Sequence, residues 1–186
     1  MLSSPGIHGG STLLQPEAVF RKIGVESGQT IADLGCGGGA HFAFSAATLV
    51  GSNGTVYAVD VQKNILLAVK ARAESLQLAQ IHTVHANVEK LGSTAIDDGT
   101  CDHVIIVNVL FQNKNHEAII REATRLVKKE GYLTVIDWKK TASAFGPPQE
   151  LRTDPATITQ QATAAGLRFF DEFDAGPYHY AIVFKK

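Results

Sequence analysis

The sequence predicts an α/β domain of the doubly wound kind, a mostly parallel seven-stranded sheet covered on both faces and finished by a C-terminal antiparallel hairpin. Three observations carry that expectation. Short apolar runs alternate with stretches of helical periodicity, which demands parallel strands joined by right-handed crossovers. The first such run opens into a glycine cluster, Gly35-Cys36-Gly37-Gly38-Gly39. The last two runs are joined by a turn too short for a crossover, so they pair antiparallel.

Residues 1–14 are rich in Gly and Ser and read as a flexible arm, and residues 15–186 as one domain. A helix is expected at Gln15–Ile23, with Pro16 where a first turn tolerates proline. Thr30–Leu34 reads as a buried parallel strand. A helix over Gly39–Val50, a turn at Gly51–Gly54 and a strand over Thr55–Val59 follow. Gln62–Leu78 places Ile65, Leu66, Val69, Ala73 and Leu76 at helical spacing. Strands are expected at Ile81–His85, His103–Val107 and Gly131–Asp137, with a helix over His116–Lys129 before the last. A helix near Ala156–Ala165 precedes Leu167–Phe173, a turn at Asp174–Gly176, and Tyr178–Phe184.

Composition narrows the function. The chain has 186 residues, 45 % of them apolar, and a domain of this size buries roughly 70 % of its unfolded surface without needing staples. Its 17 Lys+Arg stand against 18 Asp+Glu, a balance that disfavours a general nucleic-acid binder, which needs a basic face. The two cysteines, Cys36 and Cys101, show no ligand spacing, and no metal is expected. No apolar run approaches the ~18 residues of a membrane span, and no charged leader precedes an apolar stretch. The expectation is a cytoplasmic protein.

The segment Ile31-Ala32-Asp33-Leu34-Gly35-Cys36-Gly37-Gly38-Gly39-Ala40 is the most informative. Glycines let the backbone bend and let a ligand approach the main chain, while free amides at the following helix favour an anionic group. Dinucleotides use the same geometry with an acid closing the second strand, here Asp60. Asp33 separates the two ligand classes. A carboxylate beside the bend repels a pyrophosphate but attracts an ammonium group or orients the loop.

On these residues the sequence resembles the class I S-adenosylmethionine (SAM)-dependent methyltransferases, which have a Rossmann-like fold. DLGCGGG is similar to their first motif and YAVDVQ, Tyr57–Gln62, to their second-strand acidic motif. The resemblance runs from about Pro16 through the terminal hairpin. It implies SAM as cofactor, with Asp33, Gly35 and Gly37 around the methionine part and Gly39 at the helix start. It implies Asp60 on the ribose hydroxyls, Val61 on adenine with Val88 near it, and Asn87 on the adenine amino group, where the family commonly carries Asp. Asn108 lines the cofactor beside the methyl. Read alone, Asp60 is also a cap for the helix near Gln62, and Asn87 also a turn residue.

The acceptor is expected beyond the carboxyl ends of the strands. Candidate walls are His41, Asn108 to Gln112 with Phe111, and the loop after the fifth strand with Trp138. Trp138 reads equally as core packing. His41 and Asp137 are the candidate bases, with a helix-turn position and a loop anchor as their plainer roles. The DWKK…GPP run resembles small bacterial and archaeal methyltransferases related to the ubiquinone/menaquinone-biosynthesis type. NVLF replaces the [DN]-P-P-[FY] of many base-amino methyltransferases, which points to a small-molecule acceptor, with Gly6–Leu13 expected to close over the site. Two other readings stay open: a protein that binds SAM without transferring its methyl, and an NAD(P)-linked oxidoreductase.

Overall fold

The computed structural model describes residues 13–141 and 143–186. Its elements, in order, are α1 Pro16–Ile23, β1 Thr30–Leu34, α2 His41–Val50, β2 Thr55–Asp60, α3 Lys63–Ser75, β3 Ile81–His85 and β4 Cys101–Val107. They continue as α4 His116–Leu126, β5 Val127–Trp138, α5 Pro155–Ala164, β6 Arg168–Gly176 and β7 His179–Lys185. The seven strands form one sheet in the order β3-β2-β1-β4-β5-β7-β6. β1 to β5 pair parallel, and β7 runs antiparallel to both β5 and β6.

Strand alternation decides which helix covers which face. On β4, Ile105 joins Ile31, Val56 and Val69 on the face of α1, α2 and α3. Val104 and Ile106 join Leu133, Ile120 and Ile158 on the face of α4 and α5. Central strands are therefore buried on both sides, whereas β6 at the edge leaves Phe169 and Phe170 exposed. The strand order reverses direction between β1 and β4, and a crevice opens there at the carboxyl ends.

Several boundaries differ from the sequence expectation: β4 and β5 begin earlier, at Cys101 and Val127, α3 ends earlier, at Ser75, and three others have a visible cause. α4 ends at Leu126, not at Lys129, because Val127 already pairs with Cys101 on β4. Lys186 Nζ caps the exposed end, donating to the carbonyls of Thr124 and Val127 at 2.7 Å. The terminal hairpin turns at Pro177–Tyr178, since β6 continues through Asp174–Gly176 and Gly176 pairs with His179. α2 starts at His41 and not at Gly39, with Ala40 held left-handed at φ 41°. Of the arm, residues 1–12, including most of the segment expected to close over the site, lie outside the described residues; Leu14 is buried in the core. No described helix is long and apolar enough to cross a membrane.

Candidate functional site

β1 delivers the chain into the crevice through Asp33 and Leu34, and Gly35 bends it away. Gly35 sits at φ 81°, and a Cβ there would stand 2.5 Å from Val109 Cγ2, so both conformation and the wall after β4 demand glycine. Its amide and that of Cys36 donate to Val59 O at 2.8 and 2.9 Å, tying the bend to β2. Gly37 also has a positive φ, 65°, but nothing lies within 4 Å of where its Cβ would be. There the backbone is open to a ligand.

Asp60, at the end of β2, is 7 % exposed and works with both oxygens. Oδ2 accepts from Gly37 N at 3.0 Å, and Oδ1 from Gln62 N at 2.9 Å at the start of α3. The helix-cap role and the loop-holding role are thus simultaneous. Asp33 is buried, and its carboxylate accepts from the backbone amide of Ala43 in the first turn of α2. Burial pushes its pKa up to about 7, the Ala43 amide opposes this, and the Asp60 charge adds to it. Burial, then the Asp33 charge, also pushes the Cys36 thiol up, leaving it protonated and unreactive.

Two adjoining chambers occupy the crevice. One, of about 280 Å³, is lined by Gly35, Gly37, Asp60, Val61, Asn87 and Val88. The other, of about 370 Å³, is lined by Asp33, Gly37, Gly39, His41 and Asn108. Val61 is 59 % exposed, an apolar face left bare at the rim of the first. Asn87 also forms the turn after β3, its Oδ1 accepting from Glu89 N at 2.9 Å. Asn108 stands at φ 55°, a left-handed strain that asparagine bears better than other residues with a side chain, and among the described residues its buried Oδ1 has no partner. Such strain and an unpaired acceptor are what a ligand-facing position retains.

Four predicted residues besides the glycines thus line the first chamber (Asp60, Val61, Asn87, Val88) and three the second (Asp33, His41, Asn108), but three others line neither. Asp137 is fully buried, its oxygens accepting from Phe111 N at 3.2 Å and Trp138 N at 2.8 Å. Burial raises its pKa to about 6, against the pull of those two amides. It lines neither chamber and anchors the turn after β4. Trp138 is buried against His179, ring centroids 4.1 Å apart, beneath the loop after β5. Phe111 is half-buried and faces a separate cavity.

Two arginines were not singled out from the sequence, and Gln112 entered only as the end of the candidate wall Asn108 to Gln112. Arg72 on α3 reaches Gly39 O at 3.0 Å and lies 4.1 Å over the Phe44 ring, clamping the end of the glycine loop. Gln112 lines both chambers and donates to Asn108 O at 2.8 Å. Arg152, 5 % exposed, staples the loop after β5 through Lys139 O, Thr141 O, Phe145 O and Pro147 O. Only Gln112 had a local signal, four residues beyond Asn108; the arginines act across distances that spacing does not reveal.

A family model described as "Methyltransferase domain" matches residues 25–172. The chain belongs to that methyltransferase family. A SAM-dependent methyltransferase from Aquifex aeolicus has the same fold at TM-score 0.83 and 26 % identity, covering 93 % of this chain and 90 % of that one. Demethylmenaquinone methyltransferases from Bacillus mycoides and Oceanobacillus iheyensis are 31 % and 30 % identical over 118 residues, 63 % of this chain and 48 % of each relative. The chain spans about half the length of these curated relatives. The matched region includes both chambers and every strand through most of β6.

The donor set suits SAM. An open backbone at Gly37, a two-oxygen carboxylate at Asp60, a bare apolar face at Val61 and the buried carboxyl of Asp33, which a cation would ionise, suit its amino-acid, ribose, adenine and cationic parts respectively. Among the described residues neither chamber is lined by Lys or Arg, and Arg72 near the bend has its Nη1 committed to Gly39 O.

Proposed function

We propose that this methyltransferase transfers the methyl of SAM to a small-molecule acceptor. The observation that carries the reading is the pair of carboxylates, Asp33 and Asp60, flanking the bend where a dinucleotide would bring its phosphates. When bound, SAM supplies an activated methyl on a sulfonium; positioning, shielding and proton handling fall to the protein. Each Asp60 oxygen keeps a lone pair beyond its amide bond, enough to accept a ribose hydroxyl. Val61 and Val88 cover adenine, with the Asn87 carboxamide at its edge. Gly35, Gly37 and Gly39 surround the amino-acid part, Asp33 pairs with its ammonium, and Asn108 closes the methyl end. His41, exposed on the rim of that chamber, is the group able to take a proton from the acceptor.

The quinone substrate in the relatives' names favours a small acceptor over a nucleic acid, as does the near-neutral charge. A cytoplasmic location belongs to the same reading. Calorimetric titration with SAM, S-adenosylhomocysteine and NAD⁺ tests the cofactor, and S-adenosylhomocysteine release across a metabolite library tests the transfer. Binding of NAD⁺ in place of S-adenosylhomocysteine would overturn the cofactor assignment. Binding of SAM with no release from any metabolite would favour a sensor.

Asp33 makes a pH signature. Its folded pKa, about 7, stands above the usual 3.8, so the apo protein loses stability as pH rises from 3.8 to about 7 and no further above that. The ammonium of the cofactor favours the ionised form, so binding at pH 6 releases a proton and affinity climbs until about pH 7 to 8. Asp33→Asn is expected to flatten that climb, to weaken binding, and to raise the apo Tm at pH 8 more than at pH 5. An undiminished pH slope in the variant would assign the proton elsewhere.

A further inference from the structure

A third cavity, of about 830 Å³, opens between the turn after β4 and the loop joining β5 to α5. Gln112 lines it as well as both cofactor chambers, so the spaces meet at that side chain. Its size falls in the range of small-molecule sites. Phe111 and Leu151, the latter 53 % exposed, give it apolar walls that no described side chain covers.

Its charges do not balance. Lys140 and Asp154, 3.7 Å apart, offset one another. Lys114 belongs to no ion pair among the described residues. Arg152 is buried with its N–H groups spent on four carbonyls and Ser143 Oγ, all uncharged acceptors. Against these two cations the wall offers one further carboxylate, Glu150. The first turn of α4 also faces the space through His116 and adds the positive end of its dipole. A buried guanidinium without a counter-charge is costly unless something supplies one.

We infer that this cavity is the acceptor site and that it takes a small organic monoanion, an aromatic or aliphatic body carrying one carboxylate or phenolate. The inference rests on the methyltransferase reading. Lys114 and the field of Arg152 hold the anion, Phe111 and Leu151 cover the body, and Gln112 marks the passage to the methyl. Arg152 is a positioning residue here, shaping the wall without touching the ligand. Asp137 serves the opposite wall in the same way by fixing Phe111 N.

The test compares 2-naphthoate with its neutral analogue 2-naphthamide, titrated by NMR into the full chain with S-adenosylhomocysteine present. The acid is expected to bind at least about tenfold more tightly than the amide. Lys114→Glu, at an exposed position, should weaken the acid about tenfold and spare the amide. Thr157→Trp, exposed on the first turn of α5 and lining the cavity, should displace both. Neither variant should alter the affinity for S-adenosylhomocysteine. Equal binding of acid and amide, or indifference of the acid to Lys114→Glu, overturns the acceptor assignment alone. Failure of S-adenosylhomocysteine to bind the unaltered chain overturns the methyltransferase reading and the acceptor role with it.

Discussion

Asp60→Ala is expected to weaken S-adenosylhomocysteine binding by ~2 kcal/mol or more, about thirtyfold in Kd, with the fold retained. Two losses combine. The ribose hydroxyls lose a charged acceptor, and the Gly37 and Gln62 amides lose the oxygens that hold them at 3.0 and 2.9 Å. Asp60→Asn separates these, because an amide keeps one acceptor oxygen for the loop while surrendering the charge. Its affinity should fall between those of the alanine variant and the parent. Calorimetry at pH 8, where Asp33 is ionised in both, is the measurement. A folded Asp60→Ala protein that binds as before would remove the ribose from this carboxylate.

The largest stability effect is expected at Glu122, on α4 and remote from the cleft. Its side chain is fully buried and accepts from Gly92 N at 2.7 Å, Thr94 Oγ1 at 2.7 Å and Arg125 at 2.8 and 3.0 Å. Arg125 continues to Ile96 O and Asp98, so the pair fastens the segment between β3 and β4 to α4. Glu122→Ala strands the Gly92 and Thr94 donors and leaves Arg125 only its exposed partner Asp98 for charge, a loss of about 3 kcal/mol, which corresponds to roughly 6–12 °C in Tm for a domain this long.

The pH dependence has a definite sign. Although burial opposes it, the hydrogen bonds from Arg125, Gly92 and Thr94 hold the Glu122 pKa down at about 2, below the ordinary 4.5. Its contribution is therefore complete above pH 4.5 and disappears as pH falls through 2. Urea unfolding of parent and variant should converge progressively as pH falls from 4.5 towards 2. The double replacement Glu122→Leu/Arg125→Met should recover part of the loss, since no buried charge is left unpaired and Asp98, which loses Arg125, is exposed. A Glu122→Ala protein as stable as the parent at pH 7 would show the network to be ornamental.

Much of this was legible because the signals were local. The run Thr30–Leu34 is bounded as expected, since a buried parallel strand has to be apolar on both faces and ends where glycine begins. The order of strands and helices follows from periodicity, and the antiparallel hairpin from the length of its connection. The glycine bend and its two carboxylates follow from spacing along the chain. What failed locally failed for a nonlocal reason. Helical periodicity runs past Leu126, yet α4 stops where Cys101 claims Val127 and where Lys186 supplies the cap.

Sequence alone determined the class of fold, the seven strands, and a glycine bend flanked by two carboxylates, because each depends on residues close together in the chain. Tertiary structure decided which side chains face that bend. Asp137 and Trp138 carry the chemistry of a base and an aromatic wall, but the hairpin strand β7 and the loop stapled by Arg152 bury them. Gln112 became the junction of three cavities only when β4 and β5 were set side by side. Burial and charge compensation are sums over the whole neighbourhood, and a neighbourhood exists only after the chain has folded.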